Sequence, residues 1–243
     1  MLQPSSGSPS SPACARPTIV LIGPLSAGLQ AELALRYDIV KLWLAHDQAA
    51  ALAAAASAEA VVTSSRWGCS GAVMRALPLL KAVCSQGAGY DTIDVASARL
   101  LGVQVSHTPD VLSACVADLA WGLLLGSARR LVQGDHYVRG GGWEAGGPGS
   151  FPLTIRVNNK KLGILGLGSI GRAIAQRGAG FGMAIRYHNR RQRSDAGSWT
   201  YEASALALAQ WADFLVATSA GAASAGLVSA AVIDVLGPRG VLV

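Results

Sequence analysis

The stretch "KLGILGLGSIGRAIAQRGAGF", Lys161–Phe181, decides how the rest of the chain is read. Apart from its lysine the opening run is apolar or glycine and reads as a buried strand, whereas from Ser169 onward the apolar residues recur at helical spacing. Between the two, Gly166, Gly168 and Gly171 stand in a G-x-G-x-x-G pattern. The first glycine permits a tight turn and the second lets the backbone approach a pyrophosphate. The third lets helix and strand pack closely, and the helix N-terminus faces the anion. A purely structural turn could carry the same spacing. Here a strand precedes the glycines and a helix follows, the setting that dinucleotide binding requires.

An NAD site places an Asp or Glu about 20 residues further on, against the ribose hydroxyls. No acidic residue stands between Arg172 and Ser194; the next strand, "MAIRYH", runs instead into Asn189, Arg190 and Arg191. Guanidinium groups match a phosphate dianion in geometry and charge. This pattern predicts NADP(H) as the preferred cofactor with NAD(H) possible, against the alternative that the arginines are ordinary solvated charges.

Around this unit, "KLGILG", "MAIRYH", "DFLVATS" and "GVLV" read as four parallel strands, with crossover helices "SIGRAIAQRGAGF", "ALALAQWA" and "LVSAAVIDVLG". Upstream, "TIVLIG", "DIVKLWL", "AVVTSS", "KAVCSQG" and "VQVSHTP" alternate with helical patterns, which predicts a second parallel sheet over residues 17–110. Pro109 and Asp110 end that unit. "VLSACVADLAWGLLLGSARRL" then reads as one long apolar helix, buried along most of its length. "GGGWEAGGPGSFP" reads as a loop or arm. The expected domains are a disordered Ser/Pro-rich tail over 1–16, then 17–110, then 111–243.

Composition agrees with an α/β chain: 51% of the 243 residues are apolar and only 14% are charged. The longest apolar run is too short for a membrane span, and the tail lacks the basic start and apolar core of a signal peptide, so a cytoplasmic location is the default expectation. The net charge of +6 gathers partly at Arg186, Arg190, Arg191 and Arg193 without interleaved aromatic residues, which suits one anionic group better than nucleic acid. Cys14, Cys69, Cys84 and Cys115 form no CxxC pair and have no histidine at ligand spacing, so free thiols are expected and no metal site.

The stretches "GAGYDTIDVASARLLGVQVSHTPDVLSACVADLAWGLLLGSARRL", "LGILGLGSIGRAIAQR" and "ADFLVATSAGAASAGLVSAAVIDVLGPRGVLV" together resemble the D-isomer-specific 2-hydroxyacid dehydrogenases, and within them the NADP-dependent glyoxylate/hydroxypyruvate reductases. The resemblance implies a flavodoxin-like substrate domain followed by a Rossmann domain. It implies hydride transfer between NADP(H) and a small 2-keto or 2-hydroxy acid, in a homodimer formed through the long helix and the arm around Trp143. The backbone at Ala88 and Gly89 would hold the substrate carboxylate. Ser169, Ile170 and Gly171 would receive the pyrophosphate, Asn189 and Arg190 the 2'-phosphate, with Arg191 beside them. Ser219 would lie near the cofactor. Some NADP-preferring relatives carry a basic residue where Ser169 stands.

In the family the proton-donating His, the Glu that raises its pKa and the Arg that binds the keto acid follow the strand that reads "GVLV" here. The resemblance therefore implies that no catalytic residue lies in this chain, that the chain is C-terminally truncated at its fourth Rossmann strand, and that this strand is an open edge through which it associates. The same fold also serves non-catalytic corepressors that sense dinucleotides, the alternative from a different functional class. Of the histidines, His46 and His136 read as surface residues. His107 reads as a cap or packing residue near the cleft, and His188 as flanking the adenine. Trp67 and Cys69 read equally as pocket lining or as core.

Overall fold

The computed structural model describes residues 16–147, 149–219 and 226–243. All but Arg16 of the predicted tail, and with it Cys14, lies outside them. The chain divides into two compact units, one ending at Pro109 and one running from Asp110 to Val243.

The first unit holds strands β1 (Thr18–Leu21), β2 (Asp38–Lys41), β3 (Ala60–Ser64), β4 (Ala82–Gln86) and β5 (Gln104–Ser106). All pair in parallel, in the order β2-β1-β3-β4-β5. This is the flavodoxin-like order. Strand residues alternate between two faces. Val20, Val61 and Val83 bury one face against α2 (Gln48–Ala54), α3 (Gly71–Arg75) and α4 (Val95–Leu101), where Leu52, Met74 and Ala98 meet them. Ile19 and Leu21 pack on the other face with Leu29 and Leu33 of α1 (Ala27–Ala34). Short polar caps start these helices: Asp47 accepts from the amides of Ala49 and Ala50, Ser70 from Val73 and Asp94 from Ser97. Each satisfies amides that the first helical turn leaves unpaired.

The second unit opens with α5 (Ser113–Ala128), α6 (Leu131–Arg139) and α7 (Gly142–Gly146). There follow β6 (Lys161–Leu165), α8 (Ser169–Gly180), β7 (Ala184–His188), β8 (Thr200–Tyr201), α9 (Ala205–Trp211), β9 (Phe214–Ala217), α10 (Ala230–Leu236) and β10 (Val241–Leu242). The parallel sheet runs β10-β9-β6-β7-β8. Counted from β6 this is the 3-2-1-4-5 arrangement of a doubly wound dinucleotide-binding fold.

Three expectations are corrected here. The sheet has five described strands rather than four, so "GVLV" supplies the fifth in chain order. β8 was missed because it is only two residues long, and its identity comes from pairing Thr200 with Arg186 and Tyr201 with Tyr187. The long helix stops at Ala128, since Arg130 adopts a left-handed conformation with φ +50° before α6 begins. The glycine-rich arm also contains α7.

Burial of the long helix is likewise narrower than its composition implied. Ala117, Trp121, Leu124 and Ala128 lie on one face and are buried, whereas Val116, Leu119 and Leu123 are exposed. The inner face is fixed by α8. The Trp121 indole donates to the Ile174 carbonyl at 3.1 Å and stacks on Phe181 with ring centroids 4.5 Å apart. Gly178 leaves the room: a Cβ there would meet Leu162 at 2.7 Å and Trp121 at 3.6 Å.

Candidate functional site

The three glycines after β6 are required for three different reasons. Gly166 has φ +104°, a conformation that side chains disfavour, and a Cβ on it would lie 2.7 Å from the Ser219 amide nitrogen. Gly171 sits against the Gly166 carbonyl, so a Cβ on it would fall well inside contact distance of that oxygen. A Cβ on Gly168 would meet no described residue within 4 Å. That open side is a cradle where a ligand's pyrophosphate could approach the backbone, and Ser169 begins α8 directly behind it. Thr218 closes the turn from β9, its hydroxyl donating to the Gly166 carbonyl at 2.6 Å.

A cavity of about 940 Å³ opens beside this turn. Gly166, Gly168, Asn189, Arg190, Arg191 and Ser219 all line it, as does His188. Six of the nine predicted cofactor residues thus share one wall, and Ser169, Ile170 and Gly171 form the adjoining first turn of α8. Asn189 is tied more closely to the turn than its sequence position suggested. Its Oδ1 accepts from the Leu167 amide at 2.6 Å, so the residue supports the glycine turn while it lines the cavity. The His188 Nδ1 lies 2.8 Å from the Glu202 carbonyl and its ring is stacked near Tyr201, so it is held as a wall of the cavity.

The arginines do not act as one cluster. Arg186 turns away: it bonds Glu202 at 2.5 Å and lies over the Trp211 ring at 4.4 Å, and it does not line the cavity. Arg193 gives both prongs of its fork to Asp195, Nε to Oδ1 and Nη2 to Oδ2, each at 2.8 Å. Arg172, on the first turn of α8, bonds the same carboxylate and donates from Nη1 to the Asp195 carbonyl at 2.8 Å. Arg193 first, and Arg172 with it, hold the Asp195 carboxyl well below the usual carboxylate range. Arg190 and Arg191 have no acidic partner among the described residues. Sequence reasoning missed Asp195 because the next acid was sought near 20 residues on as a ribose acceptor, not as a partner of Arg172. Thr218 carried no signal beyond its place after a strand.

In the first unit the turn after β4 is held by remote side chains. Gly87, with φ +125°, donates to the Thr108 hydroxyl at 3.0 Å, while the Thr108 amide donates to the Gly87 carbonyl at 3.0 Å. The His107 Nδ1 lies 2.9 Å from the Ala88 carbonyl, and the Ser85 hydroxyl donates to the Gly89 carbonyl at 3.2 Å. With the carbonyls engaged, the Ala88 and Gly89 amides have no acceptor among the described residues. Two backbone N–H groups side by side suit one carboxylate. His107 is therefore a fastener of this turn, and its ring meets Tyr90 edge-on at 4.9 Å. Cys69 is a core residue: it is buried beside Met74 and Ile93, and burial, with Asp94 nearby, pushes its thiol up to about 12. Trp67 is partly exposed, and His46 and His136 are on the surface.

The family profile described as "D-isomer specific 2-hydroxyacid dehydrogenase, NAD binding domain" matches residues 121–243. The hydroxyphenylpyruvate reductase of Plectranthus scutellarioides is 38% identical over 227 residues, which cover 93% of this chain and 71% of that protein. The chain belongs to the D-isomer specific 2-hydroxyacid dehydrogenases. The Arabidopsis thaliana glyoxylate/hydroxypyruvate reductase A HPR2 is 37% identical over the same shares. Among solved structures, the NADPH-dependent glyoxylate/hydroxypyruvate reductase of Sinorhizobium meliloti in complex with NADP and malonate superposes with a TM-score of 0.80 at 34% identity. That match covers 94% of this chain and 70% of the other. The match makes residues 121–243 the family's NAD-binding domain, and membership makes the protein an oxidoreductase of the glyoxylate/hydroxypyruvate reductase kind. It favours the dehydrogenase over the corepressor alternative. No helix among the described residues is long and apolar enough to cross a membrane.

Proposed function

We propose that this 2-hydroxyacid dehydrogenase takes NADP(H) in preference to NAD(H) and acts on a small 2-keto acid of the glyoxylate or hydroxypyruvate kind. The observation that carries the cofactor reading is the pair of guanidinium groups, Arg190 and Arg191, which have no carboxylate partner among the described residues and stand after β7 on the wall of the glycine-turn cavity. An NAD ribose needs an acceptor there and a 2'-phosphate needs cations. Gly166, Gly168, Ser169, Ile170 and Gly171 would hold the pyrophosphate, Asn189, Arg190 and Arg191 the phosphorylated ribose, and Ser219 the side toward β9. The reduced cofactor supplies a hydride. The chain's own part is to hold both partners: residues 111–243 bind the nucleotide, and residues 17–110 bind the keto acid by its carboxylate on the Ala88 and Gly89 amides. His107 and His188 are each committed to a backbone carbonyl, so neither is assigned as proton donor.

The exposed apolar side chains of α5 and α7 support a homodimer as part of this reading. On α5, Leu119 is 63% exposed and Leu123 54%, and on α7 Trp143 is 50% exposed, large apolar side chains to leave in water. A monomer mass by light scattering at micromolar concentration would refute it.

The cofactor reading is tested by fluorescence titration with NADPH and NADH. NADPH is expected to bind about 10-fold or more tightly, and Arg190→Gln with Arg191→Gln to erase most of that ratio, each lost charged contact weighing roughly 1 kcal/mol. Equal affinity for the two cofactors in the unsubstituted chain would sink the preference. NADPH oxidation with glyoxylate or hydroxypyruvate on the same sample tests the substrate class separately.

A further inference from the structure

The arginine-rich loop carries one carboxylate whose placement has no role in the reading above. Asp195 stands on the same cavity wall as Arg190 and Arg191. It is bonded at once by Arg193, through a two-pronged fork, and by Arg172 of α8. A carboxylate on this wall opposes a 2'-phosphate by like charge, and it also occupies the Arg193 fork, which would otherwise be available to a phosphate. The two guanidinium partners differ in freedom. Arg172 springs from a helix and also holds the Asp195 carbonyl. Arg193 lies on the loop itself, two residues from Asp195, and its backbone is pinned by its amide donating to the Tyr187 hydroxyl at 3.0 Å. If Arg193 swings its side chain away, Asp195 keeps a cationic partner and is not left unpaired.

We propose that Asp195 and Arg193 form an exchangeable pair that sets how strongly the chain prefers NADP(H): Asp195 holds Arg193 in reserve while the site is free of phosphate, and Arg193 transfers its fork to the 2'-phosphate when NADP(H) binds. Asp195 is thus a specificity-determining residue that lowers affinity for the phosphorylated cofactor, while NADH, which offers no second anion to compete, does not feel it. Charge balance supports the exchange. Arg190, Arg191 and Arg193 on this wall, with Arg172 bonded to Asp195 from α8, leave three net positive charges against the one carboxylate, enough to receive a phosphate dianion and remain attractive. This inference rests on the reading of Arg190 and Arg191 as the 2'-phosphate site.

The test is a cycle of Asp195→Asn, Arg193→Gln and the double variant, with NADPH and NADH affinities read by fluorescence titration and folding checked by thermal melting. Asp195→Asn is expected to tighten NADPH by about five-fold, the weight of one exposed charged contact, and to change NADH by less than about two-fold. In the Arg193→Gln background the same change should have at most about a two-fold effect, because no fork is released. Arg193→Gln alone should weaken NADPH by about five-fold with NADH unchanged, which tests the exchange even if Asp195→Asn fails to fold. Equal weakening of NADPH and NADH by Asp195→Asn would overturn the inference and leave Asp195 as a loop clasp. Equal tightening with and without Arg193 would also overturn it, reducing the effect to repulsion through space. If the unsubstituted chain shows no preference but Asp195→Asn acquires one through Arg193, the exchange stands and the preference reading fails. A selective parent whose selectivity ignores Asp195 and Arg193 gives the converse.

Discussion

Each unit places a glycine-containing turn after a strand, and the two are built by different means. The turn after β6 is shaped by its own glycines: Gly166 supplies the positive φ, and Gly171 permits the contact between helix and turn. The turn after β4 is shaped from afar. Thr108 and His107, about 20 residues on, grip Gly87 and Ala88. Ser85 catches Gly89 from the strand below. A turn encoded by close spacing announces itself in a sequence, whereas one encoded by distant side chains looks like any loop.

The largest test of this contrast separates two glycines only three residues apart. Gly171→Ala drives a Cβ into the Gly166 carbonyl, a backbone atom that cannot rotate away. A loss of about 3 kcal/mol in stability is expected by chemical denaturation, together with loss of cofactor binding. Gly168→Ala meets no atom of the described residues, and its φ of −87° suits alanine. It should melt like the parent while binding either cofactor at least about 10-fold more weakly, as a methyl group blocks the approach of the pyrophosphate. If Gly168→Ala unfolds the chain, or binds normally, the division between a folding glycine and a binding glycine is wrong.

At the other turn, Thr108→Val removes the acceptor of the Gly87 amide and keeps the side-chain shape. Stability should fall by about 0.5–1 kcal/mol, the net worth of one solvent-exposed hydrogen bond. Cofactor affinity should not change, since the residue belongs to the first unit. A change in NADPH affinity with stability unmoved would mean that this turn does not serve as separate carboxylate-holding machinery.

The same division explains what could be read from the chain before its structure. Alternating buried runs such as "TIVL" and "KLGIL" exposed both sheets, because a parallel strand buried on both sides must be apolar in nearly every position. The glycine spacing exposed the cradle. β8 escaped because two residues, Thr200 and Tyr201, make no pattern; only their pairing to β7 defines them. The break between α5 and α6 escaped because "SARRLVQG" has neither glycine nor proline at the position of the left-handed residue, Arg130. Asp195 escaped because its meaning depends on Arg172, 23 residues earlier and brought to it by α8.

Asn189 crosses the line between the two kinds of turn, and it offers the smallest but most discriminating test. It reaches back 22 residues to accept from Leu167 inside the locally encoded turn, so even that turn borrows one distant fastener. Asn189→Leu removes the acceptor and should cost about 1 kcal/mol in a denaturant melt. Asn189→Asp keeps an acceptor for the Leu167 amide and should retain the parent's stability, yet it sets a negative charge beside Arg190 and Arg191. Its expected mark is therefore in binding alone, a fall of about five-fold in NADPH affinity relative to NADH. Equal destabilisation by both substitutions would show that the Leu167 bond contributes nothing and that the glycines shape the turn unaided. Unequal stability with unchanged cofactor preference would keep the fastener and remove Asn189 from the phosphate site.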